Sequence, residues 1–134
     1  MRSWCRTSIA LLLLLSAAHS ISMAKADVTT PEFDACIKKS HGVTSDLTDC
    51  VDLEKKRQDE KLDQSYQKLL ASLKSARRAQ LVDAQQAWLK YRELNCALYD
   101  DGSGGTTAGL AANDCIMTMT AKRAAELVYL MPNQ

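Results

Sequence analysis

The chain lacks any strand-like alternation of useful length, any internal repeat and any low-complexity linker, which excludes sheet and solenoid architectures. Helix breakers are scarce: the prolines are Pro31 and Pro132, and three of the five glycines crowd into Gly102-Ser103-Gly104-Gly105. A helix crossing a bilayer needs ~20 apolar residues. The longest apolar run, Ile9 to Ala18, falls well short of that. Basic residues are not in excess, with 17 Lys and Arg against 16 Asp and Glu, so no nucleic-acid-binding stripe is expected. Cysteines without close pairs, and one histidine beyond the leader, do not resemble zinc knuckles, and neither metal nor cofactor is expected.

What is present begins with an export signal. Arg2 and Arg6 form a positive n-region, Leu11 to Leu15 dominate an apolar h-region, and Ala24-Lys25-Ala26 reads as a cleavage site before Asp27. The expectation is a signal peptide over 1–26 and one domain over 27–134, periplasmic or secreted, with no stable membrane anchor after cleavage. Without Arg2, Arg6 and Lys25 the mature domain carries 14 basic against 16 acidic side chains.

That domain keeps Cys36, Cys50, Cys96 and Cys115. An even number in a small exported domain reads as disulfides in an oxidising compartment. Three pairings are open. Cys36–Cys50 with Cys96–Cys115 is favoured, because each pair closes a short loop around a turn.

Periodicity is helical nearly throughout. Thr30-Pro31-Glu32 starts a first helix, with Phe33, Cys36 and Ile37 on one face and His41-Gly42 ending it. Thr44 or Ser45 caps a second helix with Leu47, Cys50, Val51 and Glu54 on one stripe, continued by Leu62, Tyr66, Leu69 and Leu73. The charged stretch from Glu54 to Lys61 is expected to be solvated. No breaker marks the next turn; it is placed near Ser75, since one helix to Tyr99 would have nothing to fold against. Leu81, Ala84, Trp88, Tyr91, Asn95 and Leu98 form the face of a third helix. A fourth is expected from about Ala108 to Met131, with Ala112, Ile116, Met119, Leu127 and Leu130 inward. The fold class is all-α: a small disulfide-braced bundle of three longer helices plus one short N-terminal helix.

Few residues suggest chemistry. Asp63 beside Tyr66 offers a carboxylate, but glycosidase-type acid–base work needs a second one held across a cleft. His41 reads as a loop histidine at a helix C-terminus. No catalytic residue is assigned, and an enzyme is not expected. Trp88 and Arg92, four apart, can stack, and Trp88 lies on the apolar stripe, so both read as scaffold. Gln85, Asn95 and Arg123 read as satisfying buried groups, anchoring the loop and packing or pairing, respectively. The acidic loop Asp100-Asp101-Gly102-Ser103-Gly104-Gly105 has two readings side by side: a presented binding surface, or a plain connection that is longer than it needs to be.

Those residues carry a resemblance. Cys36, Thr48-Asp49-Cys50, Asp63 with Tyr66 and Leu70, and Leu81-x-x-Ala84-Gln85-x-Ala87-Trp88-Leu89-x-Tyr91-Arg92-x-x-x-Cys96 all belong to it. Gly104-Gly105 and Cys115-x-x-x-x-Thr120-x-x-Arg123-x-x-x-Leu127 complete it. The pattern resembles the small exported proteins grouped with the N-terminal domain of the lysozyme inhibitor LprI. The family's usual Leu-Asn before the second-helix Tyr is replaced here by Gln64-Ser65. The resemblance implies a helical, disulfide-braced protein that binds a protein partner, lysozyme, and blocks its muramidase activity. Asp100, Asp101, Ser103, Gly104 and Gly105 are the expected contact residues. The rival reading is an interaction or immunity-type protein for another cell-envelope factor.

Overall fold

The computed structural model describes residues 29–100, 102 and 104–132. They form α1 (Pro31–Lys39), α2 (Thr44–Ser72), α3 (Ser75–Ala97) and α4 (Thr106–Tyr129). The expected leader over 1–26 lies outside the described residues. No helix among the described residues is long and apolar enough to cross a membrane.

The main pairing is α2 with α4. Leu47 and Val51, early in α2, line one groove with Leu110 and Ala111, early in α4. Leu62 and Leu69 share a core further along with Ala124 and Leu127. The two helices therefore run the same way, and α3 returns between them in sequence, leaning on α4 more than on α2. Small Ala121 and Ala124 permit the close approach of α4 to α2, while Leu127, Leu69 and Met117 fill the space with almost no exposure. Both expected disulfides are formed: Cys36–Cys50 ties α1 to the start of α2, and Cys96–Cys115 ties the end of α3 to α4.

The turn between α2 and α3 falls at Leu73-Lys74, within two residues of its expected place, although nothing in the sequence breaks the helix there. Arg78 closes it, Nε donating to the Leu70 carbonyl at 3.1 Å. The fourth helix starts at Thr106, two residues before the expected Ala108.

Two expected faces are corrected. On α3, Leu81 is buried and Trp88 half-buried, but Ala84, Tyr91 and Leu98 look outward, Leu98 at 82 % exposure. The inward positions of α3 are filled instead by Gln85 and Cys96. On α4 the buried set is Met117, Thr120, Ala121, Arg123, Ala124 and Leu127; Ala112, Ile116 and Met119 are half-buried and Leu130 is exposed. Small Ala121 and Ala124 sit beside Met117 and Leu127 on the buried face, and Ala112, Ile116 and Met119 fall at its flanks.

The third correction concerns α2. Glu54 and Gln58, expected in solvent, are buried, Glu54 completely. A capping box needs an acid at the third helical position reaching back to the cap N–H. Position three of α1 is Phe33, and Glu54 supplies the missing carboxylate from the neighbouring helix. Thr30 N donates to Glu54 Oε1 (2.9 Å), and the Thr30 hydroxyl donates to Oε2 (2.6 Å) while accepting from Phe33 N (3.2 Å). Gln58 Nε2 donates at 2.6 Å and Arg57 Nη1 at 3.2 Å.

Burial alone would raise the Glu54 pKa, but the bonds from Thr30, Gln58 and Arg57 outweigh it and hold the carboxyl below its ordinary 4.5. A carboxyl depressed by folding stabilises the fold above its unfolded value, and that contribution is lost as pH falls through the folded value. Stability should therefore decline below 4.5. Urea melts at about pH 7 and about pH 3 check this: the acid loss should be larger in the parent than in Glu54→Gln, and equal losses would count against it.

Candidate functional site

Three features gather at the end of the bundle where α2 and α4 begin: the glycine loop, an apolar groove and the carboxylate of Asp114. The loop leaves α3 through Leu98, Tyr99 and Asp100, all exposed. Asp100 Oδ1 accepts from Gly102 N at 3.1 Å, turning the chain back on itself. Gly102 and Gly104 both take left-handed conformations, φ +69, which a side chain would strain. Gly105 then caps the start of α4. Asp101 and Ser103, expected to contact a partner, lie outside the described residues.

Cys96–Cys115 ties the end of α3 to the middle of α4, with Cα atoms 5.5 Å apart, and so closes the segment that contains the loop. Asn95, read as a loop anchor, directs Nδ2 at Met119 Sδ (3.5 Å) and Cys115 Sγ (3.7 Å), so it braces the disulfide from inside.

The motif residues lie away from this end and meet around Trp88. The Arg92 guanidinium sits 5.1 Å from the indole centroid and that of Arg123 5.8 Å from it. Arg92 Nη1 donates to Thr120 Oγ1 at 2.6 Å and pairs with Asp59 at 3.5 Å. Arg123 Nε donates to Gln85 Oε1 at 3.0 Å, and its Nη1 pairs with Glu126 at 2.9 Å. Two cations therefore fill the gap between α3 and the α2–α4 pair, each with a designated acceptor. Gln85, Trp88, Arg92 and Arg123 thus bond and pack against one another between α3 and α4. Tyr91, one turn from Trp88, is 58 % exposed and takes no part in these contacts.

Beside the loop, Phe33 and Ile37 of α1, Leu47 and Val51 of α2, and Thr107, Leu110 and Ala111 of α4 enclose a groove of about 300 Å³. Asp114 stands at its mouth and also borders the adjoining cleft that contains Asn95, Tyr99 and Lys122. Partial burial raises the Asp114 pKa, with no hydrogen bond to oppose it. Asp114 stands outside the acidic run Asp100-Asp101 that marks the loop in the sequence. An acid one turn after Leu110-Ala111, on the face Ala111 shares, was the available signal.

A family model described as lysozyme inhibitor LprI matches residues 24–127. An uncharacterized protein of Rhizobium meliloti (strain 1021) is 29% identical over 135 residues, covering 87% of this chain and 95% of that protein. No solved structure matches the chain.

Proposed function

The chain belongs to the LprI lysozyme inhibitor family, and on that premise we propose that it binds a lysozyme and occludes its catalytic cleft. The family match across 24–127 is the observation that carries the reading. Two disulfides and the family together fit an oxidising, extracytoplasmic setting, which is where a lysozyme would be met.

The loop from Asp100 to Gly105 is the contact surface in this reading. Lysozyme-type sites place two carboxyl groups in an open cleft, and a cationic enzyme would be steered toward an acidic partner. Glycine at 102 and 104 keeps the loop slim enough to enter, because no side chain projects there. Asp101 lends charge for steering, and the Ser103 hydroxyl donates to a cleft carboxylate. The Cys96–Cys115 tie limits the conformational entropy lost when the loop docks.

Cell-wall lysis by a cationic lysozyme, with and without the purified oxidised protein, is the test. Inhibition is expected at about micromolar concentration, and Asp101→Ala with Ser103→Ala should weaken it by about tenfold or more. No inhibition at that concentration would sink the function. Undiminished inhibition by the double variant would remove the loop mechanism and leave the function standing.

A further inference from the structure

The groove beside the loop is occupied by nothing from the described chain, and its chemistry is narrow. Five of its walls, Phe33, Ile37, Leu47, Val51 and Leu110, are aliphatic or aromatic. Its mouth holds one carboxylate, Asp114, which has no ion pair and no hydrogen bond among the described residues. Lys122 borders the adjoining cleft with Asp114 yet makes no ion pair with it, and Lys38 and Lys39 at the end of α1 make none either.

Those facts discriminate between occupants. A wholly apolar plug would strip more water from a carboxylate that already lacks a donor, at a cost that grows with burial. An acidic group would be repelled. A side chain with an aliphatic stem and a cationic tip satisfies both halves of the site, its stem covering the walls and its tip meeting the carboxylate. Exposed Asp100, in the loop at the same end of the bundle, adds charge of the same sign to the approach.

We propose that this groove is a second docking point, receiving one arginine or lysine side chain of a basic protein partner, with the stem against Leu47 and Leu110 and the cation on Asp114. The proposal rests on the lysozyme reading for the partner's identity, and on the groove alone for its chemistry. It divides the work at this end of the molecule: the loop enters the cleft, and the groove holds the enzyme's surface beside it.

The groove can be tested without any lysozyme. Titrating the oxidised full chain with n-butylguanidinium chloride, an arginine side-chain mimic, should give saturable amide shifts at Leu47, Leu110, Ala111 and Asp114. Asp114→Asn should abolish them, and its spectrum reports whether the fold is kept. Leu110→Gln, which leaves the carboxylate in place, should weaken the same response. No saturable shift in the parent, or an equal one in Asp114→Asn, would overturn the proposal.

A second arm measures the affinity of parent and Asp114→Asn for a cationic lysozyme, where a loss of about tenfold is expected. If the parent binds lysozyme and Asp114→Asn binds it equally well, the docking point is overturned and the inhibitor reading survives. If the parent takes butylguanidinium but ignores lysozyme, the groove chemistry is upheld and lysozyme is removed as the partner.

Discussion

Glu54→Ala should cost the protein about 3 kcal/mol of folding stability. The carboxylate accepts from Thr30 N, Thr30 Oγ1, Gln58 Nε2 and Arg57 Nη1. Truncation leaves these donors without their acceptor, in a place where water replaces it poorly: Glu54 is 0% exposed and Gln58 2%. The penalty is that of unpaired buried donors, which exceeds the net worth of an ordinary hydrogen bond. In a domain of this size it amounts to a fall of roughly 15 °C in the thermal midpoint. Glu54→Gln keeps the shape and one acceptor oxygen but turns the other end into a donor facing donors, so its loss should be intermediate. Thermal and urea melts of both variants decide the matter. A loss under about 1 kcal/mol for Glu54→Ala would mean that the interhelical cap is ornamental.

The second large effect should come from Cys36→Ser with Cys50→Ser, and it should be local. No residue within α1 is buried, so the helix holds to the bundle through its disulfide, the Thr30–Glu54 bonds and the half-buried face of Phe33 and Ile37. Releasing a closed loop of this length frees about 3 kcal/mol of chain entropy. Amides of 34–40 should then lose about a hundredfold in hydrogen-exchange protection, while those of α2 and α4 around Leu69 and Leu127 change little. The groove would lose two of its walls at the same time. Unchanged protection in α1 would show that Glu54 alone anchors it.

Helix number, order and type were legible because the evidence for them is local. Thr30-Pro31 starts α1, and His41-Gly42, both left-handed, ends it. Both cysteine pairs follow from short loops around turns. The break at Leu73-Lys74 could be placed only by the need for α3 to fold back, since its lock, Arg78 on the Leu70 carbonyl, is a contact across the turn.

Which side of each helix faces inward was less legible. Periodicity reports where apolar residues sit, but α4 buries Ala121 and Ala124 beside Met117 and Leu127 because close approach to α2 needs small residues there. Glu54 lies on the stripe with Leu47, Cys50 and Val51, and a charge count in its neighbourhood suggests solvent. Its partner is Thr30, twenty-four residues away, and no local pattern announces that. The groove was not legible for the same reason, since three helices contribute to it, and Asp114 showed in the sequence only by its spacing from Leu110 and Ala111. The glycine loop shows in the composition, and the stacking of Arg92 on Trp88 in their spacing.

Both covalent ties lie toward one end, joining α1 to the start of α2 and the end of α3 to the middle of α4. The opposite end, around Leu73-Lys74, carries no covalent tie and is closed by a tight turn, by Arg78 on the Leu70 carbonyl and by the apolar core that includes Leu69 and Leu81. The molecule is thus built like a clothes peg, tied covalently at one end and held by packing at the other. Breathing should be widest at the far tip and fade toward the loop. Thermal motion is drained away from the face that meets a partner, and that face keeps its shape while the rest yields.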